Sequence, residues 1–312
     1  MHRAAGAAAR QEFGTKVFVR GVVEVSNFCR QNCTYCGMRR DNRELERFRL
    51  SDWEGIFEHI VAVRPPVMTD INIQAGEDPV AVRDIVLPLV RAIKARTDLG
   101  VSVCLGTLDA RLYDALHEAG AGYFIIKLET GDAEHYRAMQ APGTMEKRIA
   151  AIETLARTGW NVSSGCIVGL PGQTDAMLAE TFAVLNRLPL AGVSVSPFIS
   201  GEQTPWVDHP SAELGTTLNA LAILRLQNPT YVIPAVSAFN SVGDKGYTRA
   251  LQTGANLVTV NLTPEDARKD YVIYKNDRFI MTEQRVREAV ASAGLECSEE
   301  SLADFLAARD AA

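Results

Sequence analysis

Three cysteines, Cys29, Cys33 and Cys36, stand at spacing C-x3-C-x2-C just after an apolar run, Val17–Val25. Three thiolates on one short loop can hold three corners of an iron–sulfur cube. A four-iron cube held this way keeps its fourth iron open to an outside ligand. The blander alternatives are zinc and a purely structural loop. A structural zinc site wants four ligands, and no second Cys/His pair lies nearby. A disulfide needs pairs, and this loop leaves one cysteine over.

The elements that must position this loop are legible from periodicity. Short Val/Ile-rich runs recur at Val17–Val25, Asp70–Gln74, Val101–Leu105, Tyr123–Leu128, Val162–Val168, Gly192–Val195, Val232–Val236 and Leu257–Val260. Each is bounded by Gly, Asp or Asn and reads as a buried parallel strand. Amphipathic stretches lie between them. Ser51 and Glu54 make a capping-box pattern, Pro88 should split the helix around it, and Gly120 and Gly159 close two others. Eight such units predict an α/β fold, a (β/α)8 TIM-type barrel with C-terminal helices. The runner-up is an open six-unit barrel with an appended piece. The expected segments are 1–16, an N-terminal stretch; 17–280, the barrel; and 281–312, two helices packed outside it.

In such a barrel the chemistry sits where strands end. The second run ends in Gly76-Glu77-Asp78-Pro79, where a glycine lets backbone approach a ligand and acids follow; a tight turn with solvated acids is the alternative. The fourth ends in Lys127-Leu128-Glu129-Thr130, and alternation puts Lys127 and Glu129 on one face. Opposite charges pointing into a barrel are costly unless paired or bound. The fifth carries Gly165, Ile167 and Gly169. Ser196, Ser237, Thr259 and Asn261, on later strand ends, could line a polar substrate pocket or merely form turns.

With an aromatic, Tyr35, between the last two cysteines and Gly37 after them, the cysteine loop resembles the radical S-adenosylmethionine (radical SAM) superfamily. More narrowly, the sequence is similar to the group holding biotin synthase, the hydrogenase maturase HydE and methylornithine synthase. The runs Cys36 to Asn42 and Gly76 to Pro79 point to HydE-like proteins. The resemblance covers Val17 to about Tyr274, and from about Ser211 it extends to the segment that completes the barrel in biotin and thiamine synthesis enzymes. It implies a [4Fe–4S] cluster on Cys29, Cys33 and Cys36, with S-adenosylmethionine on the open iron and a 5′-deoxyadenosyl radical as the product of its cleavage. It also implies roles for single residues. Gly76, Glu77 and Asp78 would meet the methionine ammonium, Arg148 its carboxylate, Lys127 and Glu129 the bound molecule, and Tyr35, Ile167 and Gly169 the adenine. HydE-like proteins tend to carry Arg-His where this chain has Lys127-Leu128, a departure that bears on the substrate.

Cys104 and Cys166 are the remaining thiols near strand ends. The resemblance puts Ser102 and Ser163 where biotin synthase holds its second, sulfur-donating cluster, so that cluster is not encoded. A different auxiliary iron–sulfur cluster or a sulfur donor site is the sharper reading of the two cysteines, and a small buried residue the blander one. The run Arg39-Arg40-Asp41-Asn42-Arg43, with Arg47 and Arg49, reads as a solvated, partly paired face, or else as a docking patch for an acidic electron donor such as flavodoxin or ferredoxin. The chain has 312 residues, 47% hydrophobic, with a net charge of -6. That charge gives no reason to expect nucleic acid or an anionic membrane as partner. No apolar run has the length of a membrane span and the N-terminus is no secretory signal. An oxygen-sensitive cluster points to the reducing cytoplasm. The leading expectation is a HydE-like enzyme acting on a small thiol-bearing or amino-acid-derived substrate, or a small metallocluster precursor, in cofactor biosynthesis. A sulfur-inserting synthase and a non-catalytic iron–sulfur or zinc protein are the alternatives.

Overall fold

The computed structural model describes residues 1–274 and 278–310; residues 275–277 and 311–312, which fall in the expected barrel and C-terminal segments, lie outside the described residues. Its centre is a curled parallel sheet. The strands are β1 (Lys16–Ser26), β2 (Asp70–Ala75), β3 (Gly100–Cys104), β4 (Tyr123–Ile125), β5 (Asn161–Val168), β6 (Gly192–Pro197), β7 (Leu257–Asn261) and a two-residue β8 (Glu296–Cys297). Their order in space is β6-β5-β4-β3-β2-β1-β7, with β8 beside the start of β1. Parallel neighbours need long returns, and helices supply them.

The ring closes between β6 and β7, but not through a regular strand. The expected strand Val232–Val236 makes only single bridges, Gly192 to Val232 and Pro234 to Leu257. Pro234 has no N–H to add to a ladder. Its neighbours still bond outward: Val232 N to Ala191 O at 3.0 Å and Ala235 N to Leu257 O at 2.9 Å. The (β/α)8 arrangement therefore stands with one irregular rung. A second departure is at β4, which stops at Ile125 instead of Leu128. Glu129 adopts φ +72° and bridges to Cys166.

Alternation on the strands sorts the side chains. On β1, Val19 and Val23 point outward into a core shared with helix residues such as Ile60, Leu89 and Leu155, while Arg20, Val22 and Glu24 point inward. Helix starts follow local chemistry. Asp52, not Ser51, caps Trp53–Val63 by accepting from Gly55 N at 2.9 Å. The Pro88 segment splits as its proline requires, into Pro79–Ala81, a π-turn Val82–Val86 and Leu87–Arg96.

The last helix, Leu302–Asp310, does not simply pack outside. Its N-terminus is held at the bottom of the barrel by Asp70, which accepts from Leu302 N at 2.8 Å and Ala303 N at 3.3 Å. Leu302 and Leu306 join Phe18, Tyr123, Ile125 and Leu257 there, so this helix plugs the mouth opposite the strand ends.

Candidate active site

A cavity of about 420 Å³ occupies the barrel and opens at the C-terminal ends of the strands. Cys29, Cys33 and Cys36 line it from the loop after β1. That loop is fastened from several sides. Thr34 donates to Met139 O at 3.0 Å, Gly37 N to Ile273 O at 3.0 Å and Arg30 N to Glu77 O at 3.2 Å. Arg47 grips four loop carbonyls, those of Asn27 and Arg39 at 2.7 Å, Met38 at 3.0 Å and Asn42 at 3.1 Å. Burial pushes the Cys29 thiol up, takes Cys33 to about 12 and raises Cys36 further; proximity of the other thiols adds to the effect at Cys33 and Cys36. Such thiols keep their protons until a cation displaces them. Among the described residues no three His, Cys, Asp or Glu side chains converge closely enough for one metal ion.

The Gly76 turn explains its own sequence. A Cβ on Gly76 would meet Phe28 O at 2.2 Å, so only glycine lets β2 end against the cysteine loop. Glu77 enters the cavity. Its Oε1 accepts from Arg30 Nε at 2.9 Å and Gln31 Nε2 at 2.7 Å, while Oε2 is buried with no hydrogen-bond partner among the described residues. Asp78 does not reach the cavity. It accepts from Ser26 Oγ at 2.8 Å and Arg49 Nε at 2.5 Å, and caps the following helix through Val80 N. The predicted ligand role of Asp78 is thus corrected: Arg49 and Ser26 take its carboxylate.

Lys127 and Glu129 share the inner face, as alternation predicts, with Lys127 Nζ 3.7 Å from Glu129 Oε2 and 2.7 Å from Ser194 Oγ. Burial raises the Glu129 carboxyl, against the pull of Lys127 and Arg148. Arg148 is 4% exposed, donates to Thr107 Oγ1 at 2.8 Å and leaves Nε buried without a hydrogen-bond partner among the described residues. Burial opposes its charge, but Tyr136, Glu77 and Tyr35 outweigh this and hold it above its ordinary value. Tyr35 and Ile167 also face the cavity. Gly169 does not: it is exposed at the rim, packed against Ala212. Ser196, Ser237, Thr259 and Asn261 all line the cavity.

Two further expectations change. Cys104 faces the cavity, but Cys166 is fully buried on the other face of β5, since Ser163 and Ile167 take the inner positions. The two thiols therefore share no chamber, and the auxiliary cluster has no pair to hold it. The arginine run is not one face either. Arg47 and Arg49 turn inward to carbonyls and Asp78, and Arg40 pairs with Asp41 at 3.1 Å. The structure adds residues that no motif marked. Arg20 lies deep in the barrel, its Nε 3.1 Å from Thr259 Oγ1. Arg278 pairs with buried Glu24, Nη1 to Oε1 at 2.6 Å; Tyr271 and Tyr274, which follow the Asn261–Pro264 run that resembles HydE, also line the cavity. The signal for these was an inward charge on β1, which alternation alone could have found.

Comparison with known proteins accords with this geometry. The family model described as the Radical SAM superfamily matches residues 23–185. The chain is 33% identical over 265 residues to the [FeFe] hydrogenase maturase subunit HydE of Thermotoga maritima, covering 85% of this chain and 76% of that one. It is 26% identical to 3-methylornithine synthase of Methanosarcina barkeri, covering 85% and 75%. The crystal structure of methylornithine synthase (PylB) superposes with a TM-score of 0.84 at 23% identity, covering 98% of this chain and 90% of that one.

Proposed function

This chain belongs to the radical SAM superfamily, whose members are enzymes that bind a [4Fe–4S] cluster and S-adenosylmethionine, and from that premise we propose that Cys29, Cys33 and Cys36 hold the cluster while the cavity beside them seats the adenosylmethionine. The residues present fit these groups. One observation carries the assignment: among the described residues Glu77 Oε2 and Arg148 Nε are buried polar atoms with no hydrogen-bond partner, Glu129 Oε2 has only Lys127 Nζ at 3.7 Å, and all three residues line the same cavity as the three thiols. Buried polar groups are normally satisfied. A ligand with an ammonium and a carboxylate on one carbon would satisfy both signs of charge. When bound, the cluster and adenosylmethionine supply a 5′-deoxyadenosyl radical through one-electron cleavage of a carbon–sulfur bond.

The chain's own groups bind and orient. Gly76 and Glu77 would receive the methionine ammonium and Arg148 its carboxylate. Glu129 and Lys127 would contact the same molecule, and Ile167 and Tyr35 would flank the adenine. Arg30 and Gln31 hold the Glu77 carboxylate in place. Arg47 keeps the cysteine loop in one conformation.

The substrate reading is HydE-like: a small thiol-bearing or amino-acid-derived molecule, in cofactor biosynthesis. The polar lining of the cavity, with Arg20, Lys127, Ser196, Ser237, Thr259 and Asn261, supports it. The electron comes from a low-potential donor of the flavodoxin or ferredoxin class, in a reducing cytoplasm. Among the described residues no helix is long and apolar enough to cross a membrane. Sulfur insertion from an auxiliary cluster gains no support, because Cys166 faces away.

The test is anaerobic reconstitution followed by reductant and S-adenosylmethionine alone. The reading expects about four irons per chain, with formation of 5′-deoxyadenosine and methionine. A reconstituted protein of that iron content that makes neither would refute it.

A further inference from the structure

We infer that Cys104 is the hydrogen-atom donor of the cavity: its S–H quenches a carbon radical formed on the substrate, so that adenosylmethionine is consumed with each product. The inference rests on the radical chemistry proposed above.

Cys104 ends β3, and the register sets it beside Gln74 of β2, which in turn pairs with Glu24 of β1. It lies two residues before Gly106, where an added Cβ would meet Glu77 Oε2 at 2.6 Å. The thiol thus lines the same cavity as Glu77, Glu129 and Arg148, the residues of the proposed adenosylmethionine seat. It is partly exposed to the cavity and makes no hydrogen bond among the described residues. A second observation points to a ligand beside it. Arg148 and Glu129, 4% and 9% exposed, face the same chamber; among the described residues Arg148 Nε has no hydrogen-bond partner, and Glu129 Oε2 has only Lys127 Nζ at 3.7 Å. Both residues are close enough to act on the Cys104 thiol electrostatically.

Burial pushes the Cys104 thiol up, and the pull of Lys127 and Arg20 does not reverse it. It therefore carries its proton at neutral pH, and the hydrogen needed for an atom transfer is in place. An S–H bond is weaker than the C–H bond of an alkyl product, so transfer to a carbon radical runs downhill. In the step, a C–H bond forms on the substrate, the S–H bond breaks and a thiyl radical remains on Cys104. One electron from a low-potential one-electron donor and one proton from solvent restore the thiol. Serine in the same place keeps the shape but not the weak bond, and its O–H would not donate.

The adenosyl radical is itself a carbon radical in this cavity, so S-adenosylmethionine alone serves as the probe. Cluster-loaded protein is exchanged into D2O and turned over with titanium(III) citrate, without substrate or added thiol, and the 5′-deoxyadenosine is weighed by mass spectrometry. The wild-type product should be mostly monodeuterated. Cys104→Ser and Cys104→Ala should lose most of that label, and Cys166→Ser should keep it. Independently of turnover, methyl methanethiosulfonate should modify Cys104 but not Cys166 in the cluster-loaded protein, read by peptide mapping. A label that persists in both Cys104 variants, or a Cys104 that resists the reagent, overturns the inference and leaves the radical reading intact. Absence of 5′-deoxyadenosine from the wild type overturns both.

Discussion

Among the described residues two arginines, Arg225 and Arg148, are almost fully buried, and they are buried in opposite ways. Arg225, at 0% exposure, spends its guanidinium on Gly254 O at 3.0 Å, Pro229 O at 2.7 Å and Asn256 Oδ1 at 3.0 Å. Burial pulls it down to about 9, so it still carries its charge at neutral pH. Arg148 is buried to nearly the same degree, yet its Nε bonds nothing and its residue faces a cavity. A satisfied buried charge ties elements together. A buried charge with donors left over is held ready for something that arrives later. The same contrast separates the acids: Asp78 is consumed by Arg49, Ser26 and a helix cap, whereas among the described residues Glu77 Oε2 has no hydrogen-bond partner and Glu129 Oε2 has only Lys127 Nζ at 3.7 Å.

The largest effect should come from the loop that gives the ready side its purpose. Alanine at any one of Cys29, Cys33 or Cys36 should abolish cluster loading and bring 5′-deoxyadenosine formation to background, measured by iron content and chromatography. The arginine pair comes next. Arg225→Ala strands several polar partners and should cost roughly 3 kcal/mol of stability in denaturant titrations. Arg148→Ala should barely move stability but weaken adenosylmethionine binding about tenfold to a hundredfold, the worth of a charge-assisted bond of about 1.5–3 kcal/mol. Equal stability losses in the two variants would erase the distinction. Arg47→Met tests the clamp on the loop. It should reduce retained iron on gel filtration more than it lowers the melting temperature, since the four carbonyls it releases belong to the loop alone.

The smallest effect concerns Glu129. Burial raises its carboxyl, so the folded chain prefers it protonated. That preference has no effect at a pH below the unfolded carboxyl value; the resulting penalty grows as the pH rises from there to the folded value and is constant above it. Glu129→Gln should therefore slightly raise the melting temperature of the ligand-free protein at neutral pH, and the gain should vanish in acid. A lower melting temperature at neutral pH would mean that the carboxylate is already well paired.

What the sequence disclosed followed from local rules. The cysteine spacing, the strand ends and two-residue alternation were enough to bring Cys29, Glu77, Glu129 and Ile167 to one chamber. What it hid depended on distant partners. Nothing near Asp78 announces that Arg49 will take it, and Glu24 meets Arg278 across 254 residues of sequence. The arginine run looked like one basic face because adjacency in sequence says nothing of direction, and Arg47 points into the loop. Cys104 and Cys166 looked like a pair because both lie near strand ends, yet they stand on opposite faces of their strands. Residues 232–235 carried a strand's composition, but Pro234 reduced it to isolated bridges.

The most direct test is Mössbauer spectroscopy of the 57Fe-reconstituted protein before and after S-adenosylmethionine. The account predicts a four-iron cluster in which one iron, and only one, changes its signal when the molecule is added. Four equivalent irons that ignore it, or zinc in place of iron on the Cys29, Cys33 and Cys36 loop, would contradict it.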